Sequence, residues 1–240
     1  MNSSSIRSAL ILSTLIIGVT WFWQVLFLFF PQEPMMNFFL PKISAVDNLP
    51  TASLYIIGKG IGYFLLVLWL LRSAGERFSD LGFHRDHLVK SISMGAFFGL
   101  LIFIFNSALL LPVIDSLLPK SHVSNSGLFS TQLNIVILLF LGLVKGGFLE
   151  ELWRIFELTR FEKLYSRTGL IVALIISSIV FGLGHAYQGN NAIIGTAVIG
   201  LMNGLVYLRK RSAIEAVTAH ALFDVLAVAG GALMSSGHIK

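Results

Sequence analysis

Long apolar runs broken by short polar connectors recur from one end of the chain to the other. Seven of them, at about residues 8–30, 52–72, 90–112, 132–158, 168–186, 191–208 and 213–233, have the roughly 20 apolar residues that a helix needs to cross a hydrocarbon core of roughly 30 Å. The pattern predicts an all-α fold, a polytopic membrane helix bundle with seven or eight transmembrane helices. The first run, "ALILSTLIIGVTWFWQVLFLFF", is too long for the apolar region of a secretory signal, and no small-x-small cleavage site follows it. It reads as a span. No repeat, low-complexity tract or soluble domain interrupts the series, so residues 1–240 read as a single integral membrane domain.

The polar connectors carry the topology. Arg7 precedes the first span; Arg72, Arg77, Arg85 and Lys90 follow the second; Arg160, Lys163 and Arg167 follow the fourth; Arg209, Lys210 and Arg211 follow the sixth. The remaining connections and the tail hold only Lys42, Lys120 and Lys240. Since positive residues collect on the cytoplasmic side, this alternation predicts a cytoplasmic N-terminus and an outer C-terminus. The stretches "PQEPMMNFFLPKISAVDNLP" and "DSLLPKSHVSNSGLFSTQ" read as outer, interfacial loops with a short surface helix, and "RSAGERFSDLGFHRDHLVK" as an inner connector.

Composition narrows the class. Of 240 residues, 55% are hydrophobic and 12% charged, with a mean hydropathy of +0.83, too few polar groups to coat a soluble globule. The net charge of +5 is spread over loops, so it marks topology and no nucleic-acid partner is expected. Cysteine is absent, which excludes disulfides, thiolate nucleophiles and Cys-ligated metals. "GKGIGYF" lies inside a span and follows no strand, so its glycines read as helix packing, as does the GxxxG of Gly200 and Gly204. His84 and His87 read as solvated loop residues, and His122 and His238 receive no role.

What remains is a small set of charged and imidazole groups inside the spans. A charged group at the centre of a spanning helix costs roughly 2.5–3.5 kcal/mol on the insertion scale, so it usually faces a wet cavity or a partner. In "GGFLEELWRIFELTR", Glu150, Arg154 and Glu157 share a helical stripe, and Glu151 lies three residues before Arg154. One arginine can bridge either glutamate, leaving an excess acid suited to general-base work; Glu157 reads as part of a salt-bridged stripe at the cytoplasmic mouth. "FGLGH" puts Phe181 and His185 on one face, and "HALFD" does the same for His220 and Asp224. If the fourth run continues through "RIFELTRFEKLY" and turns near Ser166, two arms of about 25 Å bring Glu150 level with His185. His185 lies near the outer end of its helix and His220 near the cytoplasmic end of its own, so tilt, a protruding hairpin or an early break after His185 is required. Glu, His and His-x-x-x-Asp on three helices can activate a water or bind a metal.

These motifs resemble the CPBP family, which unites type II CAAX prenyl endopeptidases with bacteriocin-processing, Abi-like proteins. "FGLGH" and "HALFD" match its FxxxH and HxxxN/D motifs in order, and with "SDLGFHRDHLVKSISMGAFFGL" the resemblance covers about residues 78–230. "EELWR" departs from the family's EExxxR by one residue. Either the glutamates keep register, making Glu150 the catalytic acid, or Arg154 does, placing Leu149 there. The resemblance implies a multi-pass membrane endopeptidase, in the plasma or inner membrane of a bacterium, that acts on a membrane-associated or lipidated peptide or protein. By its mechanism Glu150, helped by His185, polarises a water, and His220 with Asp224 steadies the oxyanion; Glu151, Arg154 and Phe181 support the site. No cofactor is favoured; the alternative is zinc on Glu150, His185, His220 and Asp224. The rival reading is a non-proteolytic membrane protein, an immunity factor or proton-coupled carrier, using the same buried groups.

Overall fold

The computed structural model describes residues 3–26, 49–118 and 126–236. Among them no strand occurs, and the regular elements are helices α1 (Ser3–Leu26), α2 (Leu49–Ser73), α3 (Leu88–Phe105), α4 (Leu111–Leu117), α5 (Gln132–Leu141), α6 (Glu151–Leu183), α7 (Asn190–Lys210) and α8 (Ala213–Ser235). Two π-helical stretches, Asn106–Leu110 and Gly142–Glu150, join α3 to α4 and α5 to α6 without a break. Local sequence sets several boundaries. Thr131 accepts a hydrogen bond from the Asn134 amide at 3.1 Å to cap α5, and Ser212 caps α8 through the Glu215 amide at 3.3 Å.

Six helices among the described residues are long and apolar enough to span a membrane. That corrects the expected seven or eight. The difference lies in Gln132–Leu183, a helical path of 52 residues that counts once and covers both the fourth and fifth apolar runs. Helical backbone is interrupted there only at Tyr165 (φ −125°, ψ 15°) and Ser166 (φ 56°, ψ −148°), a positive-φ conformation uncommon for a residue with a side chain. The two arms of α6 then lie against each other. The Arg154 guanidinium sits 4.5 Å from the Phe181 ring centre, and Gly200 of α7 faces both residues.

The core is where this hairpin meets its neighbours. Ile155, Phe156 and Ala173 of α6 are fully buried with Ile17 of α1, Leu70 of α2 and Ala216 of α8. Large apolar residues elsewhere point outward, among them Leu15, Phe22, Leu65 and Val136, as expected for helices surrounded by lipid.

Ion pairs tie one end of the bundle together. Glu76, after α2, pairs with Arg160 and with Lys163 at 2.8 Å; Arg211, after α7, pairs with Glu162 at 2.6 Å; and Arg209 pairs with Glu215. Residues that the sequence assigned to one side of the membrane therefore do share one end. The inner connector is partly seated here: Gly82, at φ 95°, accepts a 3.1 Å hydrogen bond from the Ala213 amide, and a side chain at this position would press on Ala213 and Arg211. The loop at residues 31–50 lies largely outside the described residues, as do His122 and His238; of the loop at residues 115–132 only residues 119–125 lie outside them, and the expected surface helix corresponds to the short turn Ser126–Phe129.

Candidate active site

The π-helical stretch decides how the acidic pair is presented. In a π-helix the turn closes between residues five apart, and Lys145 Nζ meets Glu150 Oε1 at 2.7 Å. In an α-helix residues five apart fall about 140° from each other. This overturns the expected unpaired acid, because two cations, Lys145 and Arg154, serve the two glutamates. Sequence reasoning missed Lys145; its signal was a lone lysine within an otherwise apolar run.

Glu151 begins α6 and is fully buried. Its Oε1 receives both Arg154 Nη1 and, at 2.7 Å, His220 Nδ1. A carboxylate only accepts, so His220 donates from Nδ1 and its other nitrogen is aimed at the remaining acids. His220 Nε2 lies 3.9 Å from Glu150 Oε2 and 3.7 Å from Asp224 Oδ1. Those spacings exceed a direct hydrogen bond and suit a shared oxygen atom between the groups. Glu150 is thus held by one oxygen and presents the other, with its side chain 22% exposed.

The second imidazole comes from the other arm of the hairpin. α6 ends at Leu183, and Gly184 and His185 form a turn before α7; the early break was one of three ways to bring the histidines together. His185 Nδ1 donates to the Phe181 carbonyl at 2.8 Å, which leaves Nε2 as the basic nitrogen. The Phe181 ring separates the two histidines, with its centre 4.7 Å from His185 and 5.8 Å from His220.

Glu157 departs from the expected salt-bridged stripe. It is buried, and its Oε1 accepts the Trp21 indole N–H at 2.8 Å. The arginine stays with Glu151, so Glu157 instead fastens α1 to the hairpin. A cavity of about 290 Å³ lies along this side, with Glu150, Glu157, Lys59, Lys145, Trp21 and Trp153 in its wall. Glu150 is the link between that cavity and the histidine cluster behind it.

Close approach of α8 depends on glycines in the π-helical stretch. A Cβ on Gly146 would overlap the Asp224 carboxylate and come 3.6 Å from His220 Nε2, whereas one on Gly147 would press on Ala221 Cα at 2.9 Å. The two sites separate chemistry from packing. Gly146→Ala is expected to displace a movable carboxylate, lowering peptide cleavage about tenfold with little change in thermal stability. Gly147→Ala meets backbone and is expected to cost about 1–3 kcal/mol of stability. Cleavage rates and thermal unfolding of both detergent-solubilised variants test the pair.

Residues 131–226 match the family model described as type II CAAX prenyl endopeptidase Rce1-like. The match takes in every residue of the cluster from Lys145 to Asp224. This match over residues 131–226 supports a CPBP family intramembrane protease. The matched family is a peptide hydrolase of the CAAX type, and here its domain is set in a multi-pass membrane fold. Comparison with curated proteins and with solved structures gives no match. Among the described residues no group of three or more His, Asp or Glu side chains is arranged to hold a metal ion.

Proposed function

We propose that this protein cleaves a membrane-associated or lipidated peptide with a water molecule activated by Glu150 and His185. The observation that carries the reading is the way Glu150 is held, with one oxygen on Lys145 and the other facing His220 across 3.9 Å at the edge of a cavity. A water in that gap is polarised by the carboxylate and gives its proton to the Glu150–His185 pair as its oxygen attacks the scissile carbonyl. The C–N bond then breaks and the same proton passes to the departing amine. His220, with acidic oxygens near both ring nitrogens, donates toward the developing oxyanion. Asp224 can add a donor only as the neutral acid. The glutamates keep register in this reading, and the one-residue shortening of the motif is absorbed by pairing Arg154 with Glu151 at i,i+3.

The basic end of the bundle is taken as cytoplasmic, which puts the N-terminus inside. His220 is seven residues into α8 from Ala213, so the reacting centre lies about 10 Å or more from that end.

The test is cleavage of an S-farnesylated fluorogenic peptide by purified protein in liposomes. His185→Ala and His220→Ala are each expected to lower kcat by about 10²–10⁴-fold while size-exclusion behaviour stays unchanged. Full cleavage by both variants would overturn the assignment. If the parent cleaves nothing but moves protons across the liposome in a His220-dependent way, the carrier reading replaces it.

A further inference from the structure

Lys59 stands apart from the other intramembrane charges. It is ten residues from Leu49 and fourteen from Ser73 in α2, about 15 and 21 Å along the axis at 1.5 Å per residue. That is mid-depth in a hydrocarbon core of roughly 30 Å, too deep for a lysine to reach either surface by bending its side chain. The ammonium does not point into the core of the bundle. It lines the same cavity as Glu150, and its described neighbour is the Tyr63 ring, 5.8 Å from Nζ.

Every nearby carboxylate among the described residues is already engaged. Glu150 is held by Lys145, Glu151 by Arg154 and His220, and Glu157 by Trp21. Lys59 has no carboxylate within ion-pair distance among the described residues, and Lys145 adds a second positive charge on the same wall. An intramembrane cation in such a place marks an anion-binding position. α2 is brought close to the acidic pair by Gly60, where a Cβ would overlap the Leu149 side chain. The cation and Glu150 therefore face one ligand.

We propose that Lys59 is a specificity-determining residue that binds a carboxylate of the peptide substrate, in the cavity beside the scissile bond. The carboxylate is either the free C-terminus of the peptide or an acidic side chain; both present the same pair of anionic oxygens to the ammonium. The proposal rests on the proteolytic reading of Glu150 and adds to it which part of the substrate is recognised. Aromatic groups from Tyr55, Tyr63 and Trp153 line the remainder and suit the apolar portion of the ligand.

The experiment measures binding separately from cleavage. Three fluorescein-labelled S-farnesyl peptides are compared: a free acid without acidic side chains, a C-terminal amide with one glutamate, and a neutral amide. Their dissociation constants are measured in detergent on a His185→Ala background, with Lys59 intact or replaced as Lys59→Arg or Lys59→Gln. At least one anionic peptide should bind about tenfold more tightly than the neutral one when position 59 is lysine or arginine. In Lys59→Gln the preference should fall to within about twofold, while neutral-peptide affinity is unchanged. Which anionic peptide responds identifies the source of the carboxylate. Equal binding of all three peptides, or a preference that survives Lys59→Gln, overturns the proposal even if the parent enzyme cleaves peptides. A parent enzyme, His185 intact, that cleaves none of the three peptides although the Lys59-dependent preference is present overturns the Glu150 mechanism instead.

Discussion

Glu150→Gln protein is expected to insert and unfold as the parent does but to cleave peptide about a thousandfold more slowly. The amide keeps the shape of the side chain and can still accept from Lys145 through its carbonyl oxygen, so the π-helical stretch keeps its local contact. What is lost is the negative oxygen facing His220 and the basicity that withdraws a proton from water. Glu151→Gln makes the informative comparison. Glu151 is fully buried and its Oε1 takes both Arg154 and His220 Nδ1, so its replacement should lower thermal stability together with activity. If the adjacent acids exchanged roles, Glu150→Gln would lower stability and leave the rate nearly intact. Parallel measurement of kcat and thermal unfolding for the two variants distinguishes these assignments. An active Glu150→Gln enzyme would remove the carboxylate from the reaction.

The helices and the paired motifs were readable because each depends on local periodicity. Phe181 with His185, and His220 with Asp224, are four residues apart on helical or helix-end segments, and the structure keeps each pair together. The reversal near Ser166 was accessible for the same reason, since arm lengths follow from rise per residue. The π-helical stretch was not accessible. It exists where Gly142, Gly146 and Gly147 let the chain close against α8, a tertiary contact with no signature of its own in hydropathy. Missing it concealed the Lys145–Glu150 pair and led to the expectation of an excess acid. The partner of Glu157 was hidden for a similar reason: Trp21 lies 136 positions away, and no spacing rule links an indole in the first helix to a carboxylate in the hairpin. Helix count failed at a single place, where polar residues between two apolar runs stay helical up to Tyr165.

Arg154→Met is expected to cost about 3–5 kcal/mol of unfolding free energy, the largest stability change predicted for a single position. Arg154 is 3% exposed and Glu151 0%, so both charges sit where water cannot screen them. With the guanidinium gone, Glu151 retains His220 at 2.7 Å on one oxygen, while its Oε2 already lacks a described partner. An uncompensated buried carboxylate is the source of the cost, more than the loss of the pair's own attraction. Packing supplies a competing explanation, because Arg154 also covers the Phe181 ring and faces Gly200. The double variant Glu151→Gln with Arg154→Met separates the two. If the stranded charge dominates, the double variant recovers more than half of the loss, since neither member then carries a charge; if packing dominates, the two losses add. Thermal or denaturant unfolding of the four proteins in one detergent gives the coupling directly. A single-variant loss below about 1 kcal/mol would mean that Arg154 and Glu151 are solvated after all, in the range of exposed pairs.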